Sequence, residues 1–269
     1  MNQTLVAPST YLAAVRDLAK VAGDKILEIY DTDFNVESKA DESPLTAADM
    51  ASHHAIVDGL KVLTPEIPVL SEEDAKISFE TRSSWSRYWL IDPLDGTKEF
   101  VKRNGEFTVN IALIEDGYPV LGVVYVPVTG VTYAAARGEG AVKDMPGAGE
   151  KKISVRQLGN GPVGVVGSRS HQGDSLKAFL VKMGDHEIVS MGSSLKICLV
   201  AEGAADIYPR LGLTSEWDTA AAHCVVEEAG GELKNVETLE RLKYNTKDSL
   251  LNPFFLVIGD DSRDWGQYL

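Results

Sequence analysis

The run Asp92-Pro93-Leu94-Asp95-Gly96-Thr97 places two carboxylates, a glycine and a hydroxyl within a single turn's length of chain. Asp92 ends the apolar run Trp89-Leu90-Ile91, which reads as a buried strand. Pro93 pushes Asp92 into extended backbone and has its own φ fixed by its ring. Asp followed by Pro is a favoured turn start, and such a turn brings its first and fourth residues within ~7 Å at Cα. Asp92 and Asp95 held that close repel each other unless a cation lies between them. Two-metal sites space their ions ~3.5–4 Å apart, a span that two neighbouring carboxylates can bridge. Gly96 lets the backbone approach an anion, with the amides of Gly96 and Thr97 and the Thr97 hydroxyl as donors. The ordinary alternative is a surface Asp-Pro turn with no chemistry, since such pairs are common in turns.

Further acids point the same way. Glu72-Glu73-Asp74 follows the short apolar run Pro68-Val69-Leu70, and at least part of it reads as a solvated acidic face. Asp218 follows Trp217 at the start of a helix, where any acid is favoured by the helix dipole. Asp49 has the same ordinary reading on an earlier helix. The set offers only oxygen, with no histidine or cysteine at ligand spacing, so it points to magnesium or manganese rather than zinc. His53 and His54 occupy adjacent helical positions that face different ways and stay unassigned.

The chain as a whole limits the partners. Its 269 residues make one large domain or two small ones sharing an interface. A net charge of −14 repels nucleic-acid polymers but leaves room for a small anion where bound cations reverse the local field. The apolar run from Val120 to Val128 is broken by Gly122 and Pro127 and is too short for the ~20 residues of a membrane span. No signal peptide is read in the first residues. Cys198 and Cys224 sit in apolar helical runs and read as reduced core thiols. These features fit the cytosol, with peripheral contact at the inner face of the cell membrane left open.

Several elements must position these groups. Leu12, Val15, Ala19, Ala22, Ile26 and Ile29 step by three and four, giving a helix capped by Ser9 or Thr10. A second helix is expected to start at Thr46, with Asp49 in its first turn. Strands are expected at Pro68 to Leu70 and Tyr88 to Ile91. Thr108 to Ile114 and Val120 to Val126 form a hairpin about Asp116-Gly117, followed by Val131 to Ala136. Pro146 to Gly149 and Gly159 to Pro162 read as surface loops, one of them ending the first half. The second half alternates: strand Val163 to Val166, helix Asp174 to Met183, strand Glu187 to Met191, helix Ser193 to Glu202, helix Thr219 to Ala229, strand Phe254 to Ile258. Antiparallel strands followed by α/β alternation give two subdomains, residues 1–150 and 151–269. The first carries most of the acids, and the second carries Asp218 and a basic cluster.

Leu70-Ser71-Glu72-Glu73, Ile91 to Thr97 and Glu216-Trp217-Asp218 resemble the motifs of the lithium-sensitive, magnesium-dependent phosphatases of the inositol monophosphatase superfamily. The resemblance runs from about Val15 to Pro253. Within that superfamily the bacterial 3′(2′),5′-bisphosphate nucleotidases are the more similar branch. The similarity to them lies in Ser38 to Asp41, Ser43 to Asp49, Lys98 to Phe107, Ser168-Arg169-Ser170-His171, Gly192 to Lys196 and Leu199 to Gly203. It implies an α-β-α-β-α sandwich, a mixed α+β and α/β fold, and ~2–3 magnesium ions. The implied metal holders are Glu72, Asp92, the Leu94 carbonyl, Asp95 and Asp218. Glu72 and Thr97 would orient the attacking water, with Asp49 assisting as a base. His171, Ser193, Lys196 and Arg210 would hold the nucleotide. Glu72, Leu94, Asp95, Gly96, Thr97 and Asp218 would bound the reacting phosphate. The implied reaction takes 3′-phosphoadenosine 5′-phosphate to AMP and phosphate, in the service of sulfur metabolism, and extends to 3′-phosphoadenylyl sulfate. The acidic motifs show no departure from the pattern. The tail ending Asp264-Trp265-Gly266-Gln267-Tyr268-Leu269 is longer than expected and has no assigned role.

Three other readings compete. One is an inositol monophosphatase-like or fructose-1,6-bisphosphatase-like substrate on the same machinery. Lys196, Arg210 and His171 argue against it, because a small polyol needs no second basic cluster. Another is an aspartyl-phosphate mechanism on Asp-x-Asp-Gly-Thr, but here two residues separate the acids and Pro93 fixes the turn. The third is a cation or nucleotide sensor without turnover, which a phosphate-release assay distinguishes.

Overall fold

A computed structural model describes residues 6–32, 43–167 and 173–269. The first elements are helices α1 (Leu12–Tyr30) and α2 (Pro44–Leu63), then strand β1 (Val69–Ser71), helix α3 (Phe79–Arg82), strand β2 (Arg87–Asp95) and helix α4 (Thr97–Val101). Strands β3 (Thr108–Glu115), β4 (Tyr118–Val126), β5 (Val131–Ala136), β6 (Gly140–Met145) and β7 (Gly149–Ile153) follow. Then come β8 (Val163–Gly167), α5 (Asp174–Met183), β9 (His186–Ser190), α6 (Leu195–Ala201), β10 (Ile207–Arg210), α7 (Ala220–Glu228), β11 (Glu232–Asn235) and β12 (Phe255–Ile258).

The strands make a seven-stranded sheet in the order β1-β2-β3-β4-β5-β6-β7 and a five-stranded sheet in the order β11-β12-β10-β8-β9. Alternation of side chains along each strand builds five layers. On β2, Trp89 and Ile91 pack with α1 and α2, whereas Tyr88 and Leu90 pack with α6 and α7. On the second sheet, Tyr208, Phe255 and Val257 face α6 and α7, while Ile207, Leu256 and Ile258 face α5. The order is therefore α1/α2, first sheet, α6/α7, second sheet, α5: the expected α-β-α-β-α sandwich.

Some local expectations need correction. Pro146 to Ala148 form the turn of a β6–β7 hairpin, so the first sheet runs to Ile153 and the boundary at 150/151 falls inside β7. The two halves also share one large apolar cluster, from Leu70 on β1 to Val257 on β12. Helix α2 starts before Thr46: Ser43 accepts from the Thr46 amide and Pro44 takes the first helical position, where its missing N–H costs nothing. Asp49 thus falls in the second turn. A short 3-10 turn, Pro8–Tyr11, leads into α1, and no side chain caps α1 itself. Among the described residues no helix is long and apolar enough to cross a membrane.

Candidate active site

The acids converge at the end of β2. Between Asp92 and Asp95 the pairing with β3 slips, because Asp92 faces Asn110 while Asp95 faces Thr108. A bulge fits here: Pro93 has no N–H to give the ladder, and the extra residue bends the strand. Within the bulge Asp92 accepts a hydrogen bond from the Leu94 amide at 3.1 Å. The Ser52 hydroxyl on α2 donates to the Pro93 carbonyl at 2.7 Å, fixing the bulge against the helix that carries Asp49. Asp49 and Ser52 lie three apart, on one face of α2.

One carboxylate oxygen from each of Asp92, Asp95 and Asp218 lies within 4.8 Å of the other two. Asp218 is held by the Ser215 amide at 2.9 Å, just ahead of α7. Glu72 opens the 3-10 turn Glu72–Asp74 after β1. Ser71 shapes that turn by accepting from the Glu73 amide, and Ser71 is in contact with His53 Nδ1 at 2.8 Å. The His53 and His54 rings touch edge to face, 5.2 Å between centroids, so these adjacent residues do not point wholly apart.

Crowding and burial raise every carboxyl of the group. Asp49 is pushed up to about 8, first by burial, then by Glu73 and Glu72. Asp95 rises to about 7, by burial and the Asp218 charge, against the pull of Lys196 and the Ser194 amide. Asp218 rises to about 6, again chiefly by burial. Burial also raises Glu72, and it drives Asp92 well above the carboxylate range with Asp95, Glu72, Asp218 and Asp49 all adding repulsion. Asp92 Oδ2 and Asp49 Oδ1 are buried with no hydrogen-bond partner. Buried oxygens left bare are costly unless a cation takes them. The all-oxygen donor set, its mutual repulsion and these two bare oxygens therefore fit hard divalent cations.

A second group faces the acids across a small cavity of about 70 Å³, lined among others by Asp95, Ser193, Lys196, Tyr208, Arg210 and Asp218. Ser193 is not on the face of α6. Its backbone turns left-handed, φ 41°, ahead of the helix. The turn aims the Ser194 amide at Asp95 Oδ2, 2.5 Å away. Lys196, in the first turn of α6, donates to the Ser193 carbonyl, and burial lowers its pKa. Arg210 ends β10 with its guanidinium donating to the Thr214 hydroxyl and the Leu213 carbonyl. Gly96 has φ 98°, and a Cβ there would meet the Phe107 backbone and the Ser193 side chain at 3.2 Å. Thr97 opens α4 and is exposed. His171, with Ser168 to Ser170 and Ser38 to Asp41, lies outside the described residues.

Several positioning residues carry no signal in the sequence. Asn110 Nδ2 and Thr108 Oγ1 both approach Asp95 Oδ2, at 3.4 and 3.5 Å. Ser194 Oγ donates to Asn110 Oδ1 at 2.9 Å and pairs with Thr108 Oγ1 at 3.0 Å. Glu73 adds its charge to the repulsion at Asp49, second only to burial.

A profile of the inositol monophosphatase family matches residues 7–253. The chain belongs to the inositol monophosphatase family. Members of this family are metal-dependent phosphatases, and the cluster of Asp92, Asp95 and Asp218 could hold a metal ion. Among relatives, the chain is 54% identical over 248 residues to the 3′(2′),5′-bisphosphate nucleotidase CysQ of Escherichia coli K12, covering 91% of this chain and 98% of that protein. The crystal structure of CysQ from Bacteroides thetaiotaomicron superposes with a TM-score of 0.84 at 42% identity, covering 93% of this chain and 97% of that one. The inositol monophosphatase of Zymomonas mobilis shares the fold, with a TM-score of 0.80 at 23% identity over 98% and 99% of the two chains.

Proposed function

We propose that this chain is a magnesium-dependent 3′(2′),5′-bisphosphate nucleotidase that hydrolyses 3′-phosphoadenosine 5′-phosphate to AMP and phosphate. One observation carries the reading: the acidic centre and the basic pair Lys196 and Arg210 share one cavity. A substrate with two phosphates uses both, one over the acids and one against the bases. The likeness to nucleotidases at 54% identity supports the same substrate class.

Glu72, Asp92, the Leu94 carbonyl, Asp95 and Asp218 would hold ~2–3 magnesium ions. When bound, these supply positive charge beside the transferring phosphoryl group and the leaving oxygen. The protein's own groups do the rest. Thr97 and Glu72 orient a water in line with the bond between phosphorus and the ribose 3′ oxygen. Asp49, whose carboxylate the bound cations would favour over its acid form, takes a proton released by that water. The amides of Gly96 and Thr97 face the equatorial oxygens. The water oxygen bonds to phosphorus as the ester bond breaks, the departing 3′ oxygen takes a proton from solvent to become the hydroxyl of AMP, and Asp49 returns its proton to solvent. No covalent enzyme intermediate forms. Arg210, steadied by Thr214, grips the 5′-phosphate with Lys196 and Ser193 beside it. The adjoining cavity of about 280 Å³, which shares Lys196, Tyr208 and Arg210, takes the nucleoside. The same contacts admit 3′-phosphoadenylyl sulfate. The work would be done in the cytosol, where this by-product of sulfate assimilation arises.

The test is phosphate release from the purified protein with magnesium, over bisphosphonucleotides, inositol monophosphate and fructose 1,6-bisphosphate. Preference for 3′-phosphoadenosine 5′-phosphate is expected. Preference for inositol monophosphate would overturn the substrate assignment, and no release from any ester would overturn the enzyme.

A further inference from the structure

The chain after β12 does not trail off. It turns back across the second sheet and packs on α5. Trp265 is 3% exposed, and its indole N–H donates to the Asp260 carbonyl at 2.8 Å. Asp260 is tied in turn by the Leu158 and Ser262 amides. The 3-10 turn Trp265–Tyr268 is capped by Asp264, which accepts from the Gly266 amide. Tyr268 meets the buried Phe179 of α5 edge on, 5.9 Å between ring centroids. Lys182, one turn further along α5, donates to the Leu269 carbonyl. The family profile ends at residue 253, so this closing segment lies beyond the matched region.

What the segment packs against gives it a consequence at the site. Phe179 and Leu176 lie three apart on α5, on one face. Leu176 lines the cavity that adjoins Lys196 and Arg210, and so does Leu211, next to Arg210 in the chain. Leu176, Leu211, Phe179, Trp265 and Tyr268 all belong to one apolar cluster. The wall of the nucleoside cavity is therefore continuous with the packing of the tail. Cores packed to organic-crystal density transmit such contacts rather than absorb them.

We propose that residues 260–269 form a clasp that positions the nucleoside-side wall of the substrate cavity, with Trp265 and Tyr268 as positioning residues for specificity. This rests on the nucleotide reading of the site. The clasp acts on binding of the nucleoside and leaves the acidic centre alone, because the cavity beside Asp95 and Asp218 takes none of its lining from residues 260–269.

The experiment compares the full-length protein with Tyr268→Ala, Tyr268→Phe and Trp265→Ala, each checked for folding by circular dichroism. Tyr268 is only half-buried, so Tyr268→Ala keeps the test available if Trp265→Ala does not fold. Loss of one aromatic pair should raise KM for 3′-phosphoadenosine 5′-phosphate, and the inhibition constant of AMP, by roughly two- to tenfold at nearly constant kcat. The inhibition constant of inorganic phosphate, which needs only the inner site, should not move. Tyr268→Phe keeps the ring and should restore both constants. A purely structural tail would lower the active fraction, and hence the apparent kcat, with KM unchanged. Unchanged KM in folded Tyr268→Ala, or a matching rise for inorganic phosphate, overturns the clasp while the parent's activity stands. A parent that releases no phosphate from the bisphosphate overturns the nucleotide reading, and the clasp's role with it.

Discussion

Replacing Asp95 by Asn should stabilise the metal-free protein while removing its activity. Asp95 accepts from the Ser194 amide, Asn110 and Thr108 through a single oxygen, Oδ2. The amide oxygen of Asn can take those same bonds, so the change deletes a charge and keeps the scaffold. The folded protein holds the Asp95 proton up to about pH 7, whereas an unfolded aspartate gives it up near 3.8. The folded state thus binds more protons, and this group's contribution is favourable at low pH and is lost as pH rises towards about 7. Each pKa unit corresponds to about 1.4 kcal/mol, so a rise of about three units sets a ceiling near 4 kcal/mol. Asp95 lines a cavity at the site, and Asp92 and Asp218 relax once it is neutral, so about half of that, ~2 kcal/mol, is the expected gain near pH 8. For a chain of this size the melting temperature should rise by about 4–8 °C.

The assay is thermal unfolding of chelator-treated parent and Asp95→Asn protein at about pH 5.5 and about pH 8, with phosphate release measured in parallel under magnesium. The gap in melting temperature should shrink by about half at the lower pH, where the parent regains its proton. Turnover should fall by more than about 100-fold, since even the residues supporting metal ligands cost ~10–100-fold when lost. A variant less stable than the parent near pH 8, or a gap that ignores pH, refutes the electrostatic account. Near-normal turnover at saturating magnesium refutes the assignment of Asp95 as a ligand.

Lithium and calcium should both inhibit: lithium brings half the charge of magnesium to a site of similar size, and calcium prefers looser coordination at ~2.3–2.6 Å. Activity unchanged by millimolar lithium at low potassium would count against the metal reading. Arg210→Ala should lower kcat/KM on the bisphosphate by ~10–150-fold, as loss of a charge-assisted bond implies, and affect a substrate without the 5′-phosphate far less. Equal losses on both would sever Arg210 from the 5′-phosphate. Asn110→Ala should raise the magnesium concentration for half-maximal activity by about tenfold with little change in fold, because it loosens Asp95 and Ser194 together. An unchanged magnesium titration would show that Ser194 and Thr108 suffice.

The acidic cluster is legible in the sequence because its arrangement is rare. Two acids set around Pro93-Leu94 at the end of an apolar strand repel one another for no gain in stability, and the structure does bring an oxygen of each within 4.8 Å of the other and of Asp218. Asp218 joins them through its own motif with Trp217. The residues that aim these acids are not legible. Thr108 and Asn110 are ordinary polar residues in an apolar run and Ser52 one among the polar residues of α2, and nothing local separates a positioning side chain from a tolerated one. The elements follow the same rule. Helix α5 shows the bounds read from its pattern, Asp174–Met183. Strands β6 and β7 give little signal because their apolar alternation is weak: Gly140–Met145 is half-buried between β5 and β7, and Gly149–Ile153 is the exposed edge of the sheet. β10 is hidden by Pro209, a residue that argues against a central strand. The structure tolerates it because β10 pairs with β8 only at Ile207, so the missing N–H at Pro209 breaks no bond on that side.

The division into halves also gains a physical meaning from the site. Asp95 comes from the first sheet but is held by the Ser194 amide of the second half, while Asp218 reaches back from α7 to the bulge on β2. Without a cation this junction brings together buried carboxyls that repel one another, and the apolar cluster shared by the two halves holds them there against that repulsion. A divalent cation bound as the proposed function requires would turn the same repulsion into a shared attraction across the seam.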